Sequence, residues 1–519
     1  MAELDLAAAS HATRPFLVDA RTGRTLSYAD FRLVVLDLAA GLARAGAARG
    51  AHIALLLPNG PELACAYFAC LRLGAVAVPV NAKYPPADRE YILGVSRAVL
   101  AVVPTAGAEA AGDAERAGLP VFRVGTDPAG ERPDWVLPDS APVVPADAPP
   151  PNQTPDAPFA LTFTSGTTGR PKGIFHSAAT LLGNARAFNQ ALSITPEHRF
   201  LHAMPMAYMA GLLNCLLCPF AAGASVVVDR EFDARMAFSF WQGVLRHGVN
   251  CLWSAPSALG MVLALDRGED GRRTALRFIA ACTASLPGQL RAEFEERYGV
   301  PVLPSFGMSE TLINTVDSLE RRCPDGATGY PLPGMELRVV GPDGLAGAAL
   351  APGAEGELLV RSPSLMLGYL DPDTGGLQPA PPSTPPGGWF PTGDMGVLLP
   401  GGSLRITDRK KDLIVRGGMN VSPKKVEVAL EGHAGVLEAA VVGLPDPARG
   451  ERVAAAVRLR PGPGTASGEA LRGELLARCR ELLEPAARPE ALVVLEDFPR
   501  GSTGKVDKRA LRALLEETC

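Results

Sequence analysis

Residues 164–173, Thr-Ser-Gly-Thr-Thr-Gly-Arg-Pro-Lys-Gly, directly follow the apolar run Phe-Ala-Leu-Thr-Phe of residues 159–163. A short apolar run closed by small polar residues reads as a buried strand that ends in a loop. From Thr164 onward the loop has Gly166, Gly169 and Gly173, which let successive backbone N–H groups turn toward an anion. Ser165, Thr167 and Thr168 add hydroxyl donors, and Lys172 adds a positive charge. The stretch is therefore expected to hold a polyphosphate, set between a buried strand and a following helix. It is not the G-x-x-x-x-G-K-[ST] loop, because the glycine spacing differs and no Ser or Thr follows Lys172. Upstream, Leu63, Tyr67, Cys70, Leu71 and Leu73 recur at helical spacing, Gly74 ends the helix, and residues 75–80 read as a short buried strand. Downstream to about residue 304 the alternation continues, with GASVVVD (223–229) and VNCLWSAP (249–256) as strands. Together these predict an α/β fold.

Farther out the pattern changes. Residues 334–360 shorten to alternating strands with Gly and Pro turns, a small β unit. Beyond residue 408 come a helix starting near Pro423, strands at 439–444 and 453–459, a helix near 468–483 and a last strand at 491–496, a compact α+β module. The expected division is a large N-terminal domain, 1–408, made of stacked α/β sheets plus the β unit, and a small mobile C-terminal domain, 409–519. Two segments rich in Pro, Asp and Ala or Gly, 126–158 and 371–388, read as exposed connectors. At 519 residues the chain is long enough for several packed units. Its apolar stretches are broken every few residues by Gly, Pro or charge, so no membrane span is expected. The formal net charge of −5, without a basic block, gives no reason to expect a nucleic-acid partner. The first residues lack a secretory pattern, and the nine cysteines have no disulfide framework, which together predict a cytoplasmic location. Cys215 and Cys218 form a C-x-x-C, yet they lie in the apolar GLLNCLLCPF and are expected to pack in a core.

Four more motifs stand in order after the phosphate loop: SFGMSET (305–311), GWFPTGD (388–394), DRKKDLIVRGGMNVSP (408–423) and PRGSTGKVDKR (499–509). The ordered set resembles the signatures of the acyl-adenylating superfamily, which includes acyl-CoA synthetases, luciferases and the adenylation domains of peptide synthetases. The match spans nearly the whole chain. It implies ATP, Mg²⁺ and coenzyme A as ligands and a small-molecule carboxylic acid as substrate. By this resemblance Phe306 lies against adenine, Ser309 reaches the α phosphate, and Glu310 binds Mg²⁺, a hard cation that prefers oxygen ligands. Asp394 accepts hydrogen bonds from the ribose hydroxyls at a tight turn, and Arg409 contacts ribose or phosphate. Lys411 stands where the family has its hinge. Gly417 and Gly418 leave room for a pantetheine arm, and Lys505 stabilises the charge that develops during adenylation.

Two departures bear on the substrate. In MPMAYMAGL (204–212) the family's usual histidine near the reacting carboxylate is Tyr208, while His202 lies out of register and is expected in the core. ACTASLP (281–287) resembles the loop on the other face of the adenine but lacks the usual paired glycines. Tyr208, with Gly211 nearby, predicts a pocket for short, aromatic or otherwise functionalised acids. The double glycine of RGGMNVSP and the absence of a fused carrier domain favour an acid–CoA ligase. The alternative is a stand-alone adenylating enzyme that loads a carrier protein or an amine, or activates an unusual oxyacid such as nitrite.

Overall fold

The computed structural model describes residues 2–106, 108–125, 154–164, 170–268, 270–342, 344–379, 388–460, 468–500 and 506–518. The helix expected near residue 63 forms over Pro61–Leu73. Proline suits its first turn, where no intrahelical N–H bond is lost, and Gly74 closes it in the left-handed conformation at φ +70°. Leu63, Tyr67, Cys70 and Leu71 are buried on this helix, and the strand Val76–Pro79 that follows is buried throughout. The helix-then-strand rhythm thus builds the centre of a sheet.

The chain divides into two compact units, 1–336 with 360–390, and 337–359 with 391–519. The first unit contains two large sheets. In one, Val121–Val124, Leu100–Pro104, His52–Leu55, Val76–Pro79 and Pro158–Thr164 run parallel, after which Lys172–Ser177 and Gly368–Leu370 add antiparallel. In the other, six parallel strands from Pro15–Asp19 to Val302–Met308 are extended antiparallel by Leu312–Val316 and Tyr330–Pro331 at one end and by Thr25–Ser27 at the other. Phe16, Tyr28, Phe31, Tyr67 and Phe68 lie in a core shared by helices and strands of both sheets.

The second unit has a four-stranded sheet ending in Phe390–Leu398 and Leu404–Arg409, and a five-stranded sheet with Gly450–Leu459 at its centre and the long strand Val436–Asp446 beside it at the edge. The expected domain division at 408/409 falls inside this unit, within the strand Leu404–Arg409, and remains a proposal about movement.

Two sequence expectations need correction. The phosphate loop does not lead from a strand into a helix. It joins two antiparallel strands, with Thr164 opposite Lys172, and the helix Ala178–Ala191 comes only after the second strand. Residues 371–388 are not wholly a connector, since Leu377–Pro379 pairs as an edge strand with Gly368–Leu370. Residues 126–153 and 380–387 lie outside the described residues. Cys215 and Cys218 are buried around a π-helical turn, Leu213–Leu217, and burial drives both thiols well above their ordinary range, as suits core packing. Among the described residues no helix is long and apolar enough to cross a membrane.

Candidate active site

The antiparallel strand Lys172–Ser177 organises the site of the first unit. Alternate residues on a strand share a face, so Lys172, Ile174 and His176 point the same way. Ile174 is paired with Tyr369 on the neighbouring strand, which makes Lys172 and Tyr369 diagonal neighbours. The Lys172 Nζ sits 3.2 Å from the centre of the Tyr369 ring. Partial burial lowers the Lys172 pKa from its ordinary value, while the charge of Glu310 opposes the shift. The Tyr369 hydroxyl lies 3.4 Å from Glu310 Oε1. Its pKa is driven up by burial and then by that carboxylate, so the phenol is the donor.

Glu310 projects from the turn between Val302–Met308 and Leu312–Val316, and its carbonyl accepts a 2.8 Å hydrogen bond from Met366 N. The turn is tight: a Cβ on Gly307 would stand 2.3 Å from the Leu312 carbonyl oxygen, and Leu312 itself is left-handed at φ +63°. On the same strand face as Lys172, the His176 Nε2 donates to the Ser309 carbonyl at 2.7 Å. Burial pushes the His176 pKa down to about 4, against the pull of that carbonyl, so the ring is neutral near pH 7. Phe306 and Ser309 are half-buried on this hairpin. Thus Lys172, Ser309 and Glu310, taken from motifs far apart in sequence, are brought together. Tyr369 and His176 were missed, because a lone Tyr in LGYL and a lone His in a buried strand carry no motif of their own. Thr164 is placed at the mouth of the loop, its Oγ1 3.5 Å from the Lys172 carbonyl. Ser165, Gly166, Thr167 and Thr168 lie outside the described residues, as does Lys505.

On the acid side, Tyr208 stands edge-on to Tyr84, with ring centres 5.7 Å apart. The Tyr84 hydroxyl donates to the Phe163 carbonyl at 3.2 Å, which ties this aromatic pair to the strand entering the phosphate loop. Gly211 has a packing reason of its own, since a Cβ there would meet the Pro205 carbonyl oxygen at 2.1 Å. His202 is fully buried, and burial lowers its pKa to about 3. In the 281–287 loop, Thr283 adopts the left-handed conformation at φ +71° without being glycine. Such a residue stores strain on the order of 1–3 kcal/mol, the kind of cost found at ligand-contacting turns.

In the second unit, Asp394 is buried within the strand Phe390–Leu398, immediately after Gly393 at φ +71°. Its backbone N–H donates to Thr392 Oγ1 at 3.0 Å, and its Oδ1 lies 3.4 Å from the Nε of Arg409, its cross-strand partner. The left-handed glycine supplies the sharp bend expected there, although inside a strand. Lys411 is exposed on the short 3₁₀ turn Lys410–Asp412. Just before it, Asp408 is buried and accepts hydrogen bonds from Ser422 Oγ at 2.6 Å and Lys424 N at 3.0 Å, so strand 404–409 is latched to the start of the helix Pro423–Glu431. Gly417 and Gly418, at φ +58° and +79°, form the two-residue turn between Ile414–Arg416 and Met419–Val421. A Cβ at either would meet nothing within 4 Å, so backbone conformation rather than crowding requires glycine here.

The profile of the family described as AMP-binding enzyme matches residues 4–370, and that of the AMP-binding enzyme C-terminal domain matches residues 425–505. The chain is 33% identical over 521 residues to the sulfoacetate–CoA ligase of Cupriavidus necator, covering 97% of this chain and 95% of that one. It is also 33% identical to the indoleacetate–CoA ligase of Aromatoleum aromaticum, covering 95% and 94%. Its fold matches o-succinylbenzoate coenzyme A synthetase from Bacillus subtilis, solved with ATP and a magnesium ion, at a TM-score of 0.82 and 27% identity, with 99% of each chain covered.

Proposed function

The chain belongs to the AMP-binding enzyme family, and from that premise we propose how this AMP-forming acid–CoA ligase divides its work among the residues just described. In the first step a carboxylate oxygen of the acid attacks the α phosphorus of ATP, the bond to the β-phosphate oxygen breaks, and pyrophosphate leaves. Lys172 and the phosphate loop neutralise the polyphosphate, Phe306 and the 281–287 loop flank the adenine, Ser309 reaches the α phosphate, and Asp394 with Arg409 holds the ribose. In the second step the thiol of coenzyme A loses its proton, its sulfur attacks the acyl carbon, and AMP departs. The observation that carries the reading is the meeting of Lys172, Tyr369 and Glu310 beside the phosphate loop.

Mg²⁺ fits this site, since Glu310 offers a half-buried hard oxygen donor that would hold the ion together with phosphate and water oxygens. When bound, it would offset phosphate charge. The acid is a short, aromatic or otherwise functionalised one, a reading supported by the Tyr208–Tyr84 pair and by relatives named for sulfoacetate and indoleacetate. Residues 409–519 rotate about Lys411 between the steps, and the enzyme works in the cytoplasm.

A pyrophosphate-release screen across acids, run with coenzyme A, with an acyl carrier protein and with neither, tests the whole proposal. Acid-dependent AMP and pyrophosphate, with thioester formed only on coenzyme A, is expected. ADP and phosphate as products would overturn the mechanism, and a preference for palmitate-length acids, or transfer only to the carrier, would overturn the substrate or the acceptor.

A further inference from the structure

Lys172 and Glu310 sit on long side chains that have many rotamers in solution, and holding two such groups at one site costs side-chain entropy. Both touch Tyr369. Its strand lies between Lys172–Ser177 and the edge strand Leu377–Pro379, antiparallel to both, and the register sets the ring beneath the Lys172 ammonium. The hydroxyl at the rim of the same ring meets Glu310 Oε1. The residue also packs against the buried cluster of Ile174, Met366 and Phe390, which anchors it.

We propose that Tyr369 is a positioning residue, whose ring seats the Lys172 ammonium for the polyphosphate and whose hydroxyl orients the Glu310 carboxylate for the divalent cation. The ring and the hydroxyl thus have separable tasks. The ring holds the cation through its negative face, an interaction that strengthens when water is partly excluded. The hydroxyl donates toward a charged acceptor at 3.4 Å, at the long end of hydrogen-bond reach, which orients the carboxylate without saturating it. The inference rests on the ligase reading above and goes beyond it by assigning a residue outside the five motifs.

The test is calorimetric binding of an α,β-methylene ATP analogue, with and without Mg²⁺, to the wild type, Tyr369→Phe and Tyr369→Leu, with thermal melting as a control for folding. Tyr369→Phe keeps the ring, so its metal-free Kd is expected within about twofold of wild type, while the gain in affinity on adding Mg²⁺ falls roughly three- to tenfold, the scale of one ordinary hydrogen bond, as suits a 3.4 Å contact. Tyr369→Leu loses the ring as well, and its metal-free binding is expected to weaken roughly threefold or more. An unchanged Mg²⁺ gain in Tyr369→Phe overturns the proposal. So does an equal loss in both variants, with and without metal, accompanied by a lower melting temperature, because that is the signature of a merely structural residue. If the wild type itself does not bind the analogue, the ligase reading fails first and this inference falls with it.

Discussion

The cluster around Glu310 and the segment from Asp394 to Gly418 are assembled in opposite ways. Tyr369 reaches Glu310 across 59 positions of chain and His176 reaches Ser309 across 133, both through strand register within the first unit. Asp394, Arg409, Lys411, Gly417 and Gly418 instead lie along one local run of strand, 3₁₀ turn and hairpin. The first cluster is held from several sides before any ligand arrives, which suits charge stabilisation by groups that need not reorganise. In the second, Asp394 is fixed, whereas Arg409, Lys411 and the glycine turn are exposed. Groups carried on a short exposed turn suit a part that changes its neighbours between steps.

The largest effect is expected of Lys505→Ala, at a position proposed to stabilise the charge of the first step, which should slow adenylate formation by roughly a hundredfold to a thousandfold, the scale for losing one charge-stabilising donor. Conversion of a supplied acyl-adenylate should be spared, and an equal loss in both steps would end the assignment. Next is Lys411→Pro, expected to leave the burst of adenylate near normal and to slow thioester formation on the order of a hundredfold, as misplaced groups do. Unchanged single-turnover rates in both steps would remove the hinge.

A smaller effect is expected from Asp408→Ala, which opens the latch to Ser422 and Lys424. Hydrogen bonds to a carboxylate contribute about 1.5–3 kcal/mol each when it is charged. Burial raises the Asp408 pKa, and the bonds from Ser422 and Lys424 counter it, so the bonds hold their full strength above the carboxyl's titration and weaken below it. Amide exchange at Lys424 and Lys425 should quicken while that of the central strand Gly450–Leu459 stays as it was; unaltered exchange at the helix start would mean that the latch does not hold it. The smallest expected change is for Thr283→Gly, where release of the left-handed strain, offset by the flexibility glycine adds to the unfolded chain, should raise stability by at most about 1 kcal/mol. A denaturation midpoint that falls would show that the threonine side chain makes a contact worth more than the strain.

The helix Pro61–Leu73, its glycine stop and the strand after it were legible because periodicity and a left-handed cap are local properties. The phosphate loop was misplaced in architecture: a buried apolar run looks the same whether its loop leads into a helix or into an antiparallel strand. The glycine pair at 417 and 418 was found, yet the need for it is a two-residue turn, which shows only in the backbone angles.

By itself the sequence determined the order of motifs and the α/β class, since composition, spacing and short-range conformational preference are written along the chain, while Lys172, Glu310, Asp394, Arg409 and Lys411 were singled out through the resemblance that those ordered motifs carry. Only the tertiary structure decided that Tyr369 lies under Lys172 and against Glu310, that His176 holds the Ser309 carbonyl, and that Tyr84 braces Tyr208. The first two contacts depend on which strands pair and in what register, and a shift of one residue would turn Lys172, His176 and Tyr369 to the opposite face. Register is chosen by the burial of the whole sheet rather than by any segment of it.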